Sequence, residues 1–481
     1  MLKILLILVC FSSQIKAQDI ISADPYKIIE YEQKNYIQNN IYLLQTMFRP
    51  IIYESRNKWY LNIRNEIHYN SSAPNLENMS DRLVGKGFGT FNSLNMHYLG
   101  KFISFSIEPF YYLNQNLILE QNNKQSSFFY LNDNRYKNIS PYKKYGLRES
   151  QIYLRYKEFA FGLSNSNMWW GPGIHTSLSM TNNTIGFPYL MIGTLREKKI
   201  RKIGFNFRYI ITQLNKTNND PYYNAFSFRL TFYSDPIFTI GFNNNILFTK
   251  LSDIENVSNL ELATLFFRNS SIAGHKYQTF SSYFVFDFSK ISLKVFFEIG
   301  STDKWLDFTD YLNYPDHGIG SIFGFRQYNF LNNKYLILGF EYARLMQSSF
   351  WEKRPTMNWY GNPIFDYSTY DGRRWAAHSG SDSDDLYIYF GYQSEKWSFI
   401  PSLNYERHGI LYKRPAEVKI EFRIDLKYKL NEYYLNIYFE KEWLEHESFI
   451  ANKWRVGNVI WFGIERDITN MLFNKKGLVN N

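Results

Sequence analysis

The sequence predicts an all-β fold, a transmembrane antiparallel β-barrel preceded by a short N-terminal helical or plug element. Three observations carry that prediction: an export signal, apolar residues at every second position along most of the chain, and stretches of this alternation long enough to cross a bilayer. No apolar run of helical spanning length follows the signal. Lipid accepts only helices or closed barrels across its core, so an exported chain of this pattern is expected in an outer membrane.

Residues 1–17 read as a signal peptide. Lys3 supplies the positive n-region, Ile4 to Phe11 the apolar h-region, and Ile15-Lys16-Ala17 a cleavage site before Gln18. The apolar run is too short to span a bilayer as a helix. The only cysteine, Cys10, lies within this segment, so the exported chain is expected to carry no disulfide and no thiolate site.

Residues 18–50 are assigned to a periplasmic or plug segment. Ile28, Ile29, Ile37, Ile41, Leu44 and Phe48 have a mixed spacing that suits a short helix or plug better than a long strand. Residues 51–481 are assigned to the barrel, because no Pro/Gly/Ser-rich linker divides them. The net charge of +10 suits anionic lipid headgroups or an acidic glycan, and is too diffuse for a nucleic-acid stripe.

The strand signal begins at Trp59. Trp59, Leu61, Ile63, Ile67 and Tyr69 alternate with Tyr60, Asn62, Arg64, Glu66 and His68, and the same period returns at Ile103-Phe105-Ile107, Phe226-Phe228-Leu230-Phe232 and Phe284-Phe286-Phe288. It is clearest at Val418-Ile420-Phe422-Ile424-Leu426-Tyr428 against Lys419, Glu421, Arg423, Asp425 and Lys427. A soluble sandwich also alternates. Two features favour the barrel: several strands reach the roughly 9 to 11 residues a tilted crossing needs, and their polar faces carry both signs of charge, as a polar lumen tolerates. Trp59, Tyr69, Tyr111 and Trp397, near strand ends, suit interfacial girdles.

One segment breaks the alternation. Trp169-Trp170-Gly171-Pro172-Gly173 puts two indoles into a Gly-Pro-Gly corner, and Ser177 to Asn183 follow as a polar ladder before Phe187-Pro188. In these residues the chain resembles the Wzi-type capsule assembly proteins, in the form found in Bacteroidota. The resemblance extends to Gly339-Phe340-Glu341-Tyr342-Ala343-Arg344, to His378 through Asp385, and to Tyr405-Glu406-Arg407-His408-Gly409. It implies an outer-membrane barrel of about eighteen strands with a periplasmic helical element, acting as a lectin that holds capsular polysaccharide at the cell surface. The N-terminal helical region looks shorter than in the enterobacterial pattern, so glycan specificity does not carry over.

The candidate glycan-binding residues are Trp169, Trp170, Asn182, Asn183, Arg373, Arg374, Trp375 and Arg407. Indoles suit the C–H faces of sugars, and the amides of Asn182 and Asn183 pair donors with an acceptor for hydroxyls, Asn183 being the better candidate. Arg373 and Arg374 beside Trp375 suit a uronate or a phosphate-bearing glycan. The plainer readings stand beside these: indoles that plug the wall or anchor at the interface, and arginines paired with wall carboxylates. Arg407 and His408 are expected to line the lumen. Glu341 and Arg344 have opposite strand parity, so at most one faces inward unless a bulge intervenes.

No metal or cofactor is predicted. Asp382, Asp384 and Asp385 have a calcium-like spacing, but their run lacks the central glycine and the distal glutamate of an EF-hand loop, and an acidic loop leading into a strand is preferred. No enzyme is predicted either. Glu440, Glu442, Glu445 and Glu447 reflect ordinary abundance, and the sequence holds no nucleophile elbow and no zinc-type histidine pair. The expected partners are capsular or surface polysaccharide, outer-membrane lipid and an export machinery. A porin or transport channel, or an accessory barrel of a secretion or gliding machine, are the alternative functions.

Overall fold

In the computed structural model, alternation becomes a wall. Residues 17–21, 25–55, 59–120, 124–134, 139–217, 219–249, 276–302, 318–346 and 359–469 are described, the side chains of 17–26 and 51–58 excepted. The rest of the expected signal, with Cys10, lies outside the described residues.

Eighteen antiparallel strands close into one barrel. In chain order they begin Trp59–Asn70, Gly87–Leu99, Ile103–Asn114, Tyr142–Tyr156 and Phe159–Ser164, followed by a broken strand formed by Tyr189–Thr194 and Lys198–Ile200. Ile203–Gln213, Tyr222–Phe232, Ile237–Phe248, Lys276–Phe288, Leu293–Thr302, Ile319–Gln327 and Leu336–Arg344 continue it. Ser383–Gln393, Trp397–His408, Glu417–Leu430, Tyr433–Glu445 and Trp454–Asp467 complete it, and the last strand pairs with the first at Val459↔Asn70 through Asp467↔Asn62. Closure leaves no unpaired edge, which a membrane requires.

The two faces differ as the period of two dictates. Ile67, Phe88, Leu163, Phe390 and Leu403 are exposed on the outer face, where lipid covers them, while Glu66, Ser106, Arg229, Lys294 and Glu341 are buried within. Glu341 points in and Arg344 out, as their parity requires. Rings gather near the strand ends: Trp59 lies 4.7 Å from Tyr98 and 5.7 Å from Phe105, and Tyr392 stacks on Trp397 at 4.3 Å.

The two ends of the barrel are unequal. Tight connections such as Tyr156 to Phe159 and Leu430 to Tyr433 lie at the end that holds Trp59 and Asp467. The connections after Asn70, Asn114, Ser164 and Arg344 are long and lie at the other end. Short periplasmic turns and long extracellular loops are the outer-membrane pattern.

The mixed-spacing segment forms a helix, Pro25–Ile37, followed by a short 3-10 turn at Ile41–Leu43. Ile28 and Ile29 pack with Tyr328, Ile337 and Tyr389 inside the wall, so the helix sits in the lumen at the short-turn end. The chain then pairs Phe48 and Arg49 with Trp170 and Trp169, and Ile51–Ser55 with Ala17–Ile21, before entering the wall.

Candidate functional site in the barrel lumen

The long loops fold inward, because their aromatic residues have a core to join. Trp170, Leu178, Met180, Phe187, Trp359, Tyr360 and Trp375 form one buried cluster with wall residues such as Tyr223, Tyr283 and Phe296. The Gly-Pro-Gly corner is seated on two wall carboxylates. Glu341 accepts the backbone N–H groups of Ile174 at 2.6 Å and His175 at 3.0 Å, and Ser177 Oγ donates to Trp170 O at 2.6 Å. A Cβ on Gly173 would meet Thr176 O at 2.2 Å and Glu341 Oε2 at 3.0 Å; one on Gly171, at φ +148, would meet Ser177 Oγ at 2.6 Å and Glu298 Oε2 at 2.9 Å. Only glycine fits either place.

Burial removes most of the sequence candidates from reach of a sugar. Trp169 and Trp170 are fully buried, Trp169 beneath the Arg49 guanidinium at 4.9 Å and Trp170 against Phe48. An indole without a free face cannot stack on a ring, so both are packing residues of the plug. Trp375 is buried against Tyr223, 5.3 Å between centroids.

Asn183 is fully buried and already engaged by three partners. Its Oδ1 accepts from Asn132 Nδ2 at 2.8 Å and Asn78 N at 3.1 Å, and its Nδ2 donates to Arg374 O at 3.0 Å. One amide thereby ties together the four loops that follow Asn70, Asn114, Ser164 and Arg344. Arg373 donates to the carbonyls of Ser80 and Arg82, and Arg374 to those of Ser127 and Tyr130. These guanidiniums brace loops from within. Burial holds the Arg374 pKa down, to about 10.

Arg407 corrects the lumen expectation. It stands on the outward parity with Asp384, to which it is paired, and Asp384 is also in register with Arg344. Its neighbours Glu406 and His408 face inward instead. The three aspartates of the acidic run point to three places: Asp382 accepts the N–H groups of Leu411 and Tyr412, Asp384 meets Arg407, and Asp385 enters the lumen toward His175. Three carboxylates so dispersed do not make a calcium loop.

Asn182 alone among the candidates lines the lumen cavity. It borders a cavity of 670 Å³ between the helix and the loop plug, walled by Arg64, Glu66, Glu108, Arg148, Glu440 and Glu465. Arg82 grips Glu66 with two bonds of 2.6 Å, and Arg148 bridges Asp81 and Glu108 at 3.0 Å each. The Lys144 and Arg148 cations overcome the burial penalty on Asp81 and hold its pKa below the usual carboxylate range. The charged strand faces are therefore anchors for the loops as well as lumen lining.

Half-buried rings, absent from the sequence candidates, stand on the long-loop side. Tyr130 and Tyr367 lie 5.6 Å apart, with Phe129 5.2 Å from Tyr130, above the segment braced by Arg374. The run Phe128-Phe129-Tyr130 was visible in the sequence, but nothing local marked it as presented on a buried arginine.

No protein-family model matches the sequence, and no curated protein matches it. Among solved structures, the chain is similar to Wzi, an outer membrane protein involved in group 1 capsule assembly in Escherichia coli and described as a carbohydrate binding β-barrel. The TM-score is 0.59 at 12% identity, over 90% of this chain and 88% of that one. Pseudomonas aeruginosa OpdL gives a TM-score of 0.44 at 10% identity, over 85% of this chain and 98% of its own, and Acinetobacter baumannii OccAB4 gives 0.42 at 10% identity over the same shares. The chain is thus a closed outer-membrane barrel of the Wzi fold, as the corner residues suggested.

Proposed function

We propose that this barrel is non-enzymatic and binds exported capsular or surface polysaccharide, helping to assemble or retain it at the cell surface. The observation that carries the reading is the filled lumen: long loops turn inward and interlock through Asn183, Arg373 and Arg374. A channel needs a clear path; a binding platform needs rigid loops. The fold likeness to a carbohydrate binding barrel supports the same side.

The sugar-stacking role falls to Tyr130 and Tyr367, whose rings are half-buried beside one another on the long-loop side. Asn182 keeps a polar role at the cavity wall. Changing Tyr130→Ala together with Tyr367→Ala is expected to weaken glycan binding about tenfold, or ~1.4 kcal/mol, with heat-modifiable barrel migration intact. Deleting the gene is expected to release surface glycan into the medium without stopping its synthesis; unchanged retention sinks the proposal.

A further inference from the structure

We propose that His175, His378 and Asp385 form a binding site for a divalent transition metal, zinc foremost, within the lumen. The three residues come from separate segments: the connection after the tryptophan corner, the last of the long described loops, and the start of the strand Ser383–Gln393. His175 Nε2 lies 3.0 Å from Asp385 Oδ2, and His378 Nε2 lies 3.2 Å from the same oxygen. One ligand atom from each residue falls within 4.8 Å of the others. Tetrahedral zinc with bonds of about 2.0–2.2 Å places its ligand atoms about 3.3–3.6 Å apart, a few tenths of an ångström beyond the two spacings found.

His175 Nε2 is within hydrogen-bond reach of Asp385 Oδ1 and Asn404 Nδ2, and the other donor atoms are under-used. His378 and Asp385 are buried, and Asp385 Oδ2 and both ring nitrogens of His378 lack a hydrogen bond of good geometry. Such groups call for an unseen partner. Asn404 Nδ2 donates to Asp385 Oδ1 at 2.6 Å, leaving Oδ2 for the ion; the same amide lies 3.2 Å from His175 Nε2. The rings are held in place: His175 stacks on Tyr387 at 4.2 Å, and His378 stands edge-on to it at 4.6 Å.

Glu77 Oε2 lies 3.7 Å from His378 Nε2, with its other oxygen held by Lys419, but it does not gather with His175 and Asp385, so the fourth position falls to water. Glu406 is less suitable, since His408 and Lys419 occupy it at 2.8 and 2.7 Å. Two imidazoles with one carboxylate suit zinc and its transition-metal neighbours rather than calcium. Bound there, the ion joins two long loops to the wall.

The test uses the untagged full chain in detergent, stripped with a chelator and titrated with zinc chloride, with magnesium as control. One equivalent of zinc is expected, and cobalt(II) in its place is expected to give the intense visible absorption of a tetrahedral site. His175→Gln and Asp385→Asn are each expected to weaken zinc binding by about 100-fold or more. Absence of stoichiometric zinc binding by the wild-type chain overturns the proposal, as does unchanged affinity in folded variants. Should a variant fail to fold, the wild-type cobalt spectrum decides: octahedral-type weak absorption overturns the site.

Discussion

Arg326 holds Glu32 with two nitrogens, Nε to Oε2 at 2.9 Å and Nη2 to Oε1 at 3.2 Å, while its Nη1 reaches Pro172 O at 2.9 Å. One wall guanidinium thus joins the N-terminal helix to the Gly-Pro-Gly corner, and Lys294 meets the same carboxylate at 2.6 Å. All these side chains are fully buried.

Removing Arg326 strands that carboxylate. Arg326→Ala is expected to destabilise the fold by about 3–5 kcal/mol, the cost of breaking a buried pair from one side. Denaturant titration in lipid vesicles measures it; a loss below about 1 kcal/mol would mean that Lys294 suffices alone.

The helix anchor is expected to resist mild acid. Burial alone raises the Glu32 pKa, but Arg326 and Lys294 outweigh it and hold the group well below the usual carboxylate range. A folded pKa below the unfolded one stabilises above the unfolded value, about 4.3, and that stability fades only as pH falls through the folded pKa. Protease sensitivity of the segment Pro25–Ile37 should stay flat from neutrality to about pH 4.3 and rise only in stronger acid. In Glu32→Gln the segment should already be sensitive at neutral pH; sensitivity of the wild type near pH 5 contradicts the argument.

Asn183→Ala is expected to loosen the plug. The change leaves Asn132 and Asn78 donors and the Arg374 carbonyl without their partner, a cost of about 1–3 kcal/mol for buried polar groups. Single-barrel recordings in planar bilayers should find the wild type closed or nearly so and the variant flickering open. A large, steady wild-type pore would favour the channel alternative instead.

The corner glycine should tolerate nothing larger. Gly173→Ala drives a Cβ into Thr176 O and Glu341, whereas Gly463→Ala on the wall meets nothing nearer than 3.4 Å. Heat-modifiable migration should be lost or reduced in the first and kept in the second; equal behaviour refutes the close fit.

By itself the sequence determined the wall. Strand parity is a local property, since the backbone turns each successive side chain to the opposite face, and so the lipid face, the polar lumen and the split of Glu341 from Arg344 were all readable. The break at Trp169-Trp170-Gly171-Pro172-Gly173 was readable too, as a place where alternation stops and a Wzi-like resemblance begins. Tertiary structure alone decided what that break does. Whether Asn183 meets a sugar or Asn132, whether Trp169 faces solvent or Arg49, and whether His175 stands alone or beside His378 and Asp385 depend on residues far apart in the chain. A loop's burial is set by the partners that the closed barrel brings into reach, and no local period encodes them.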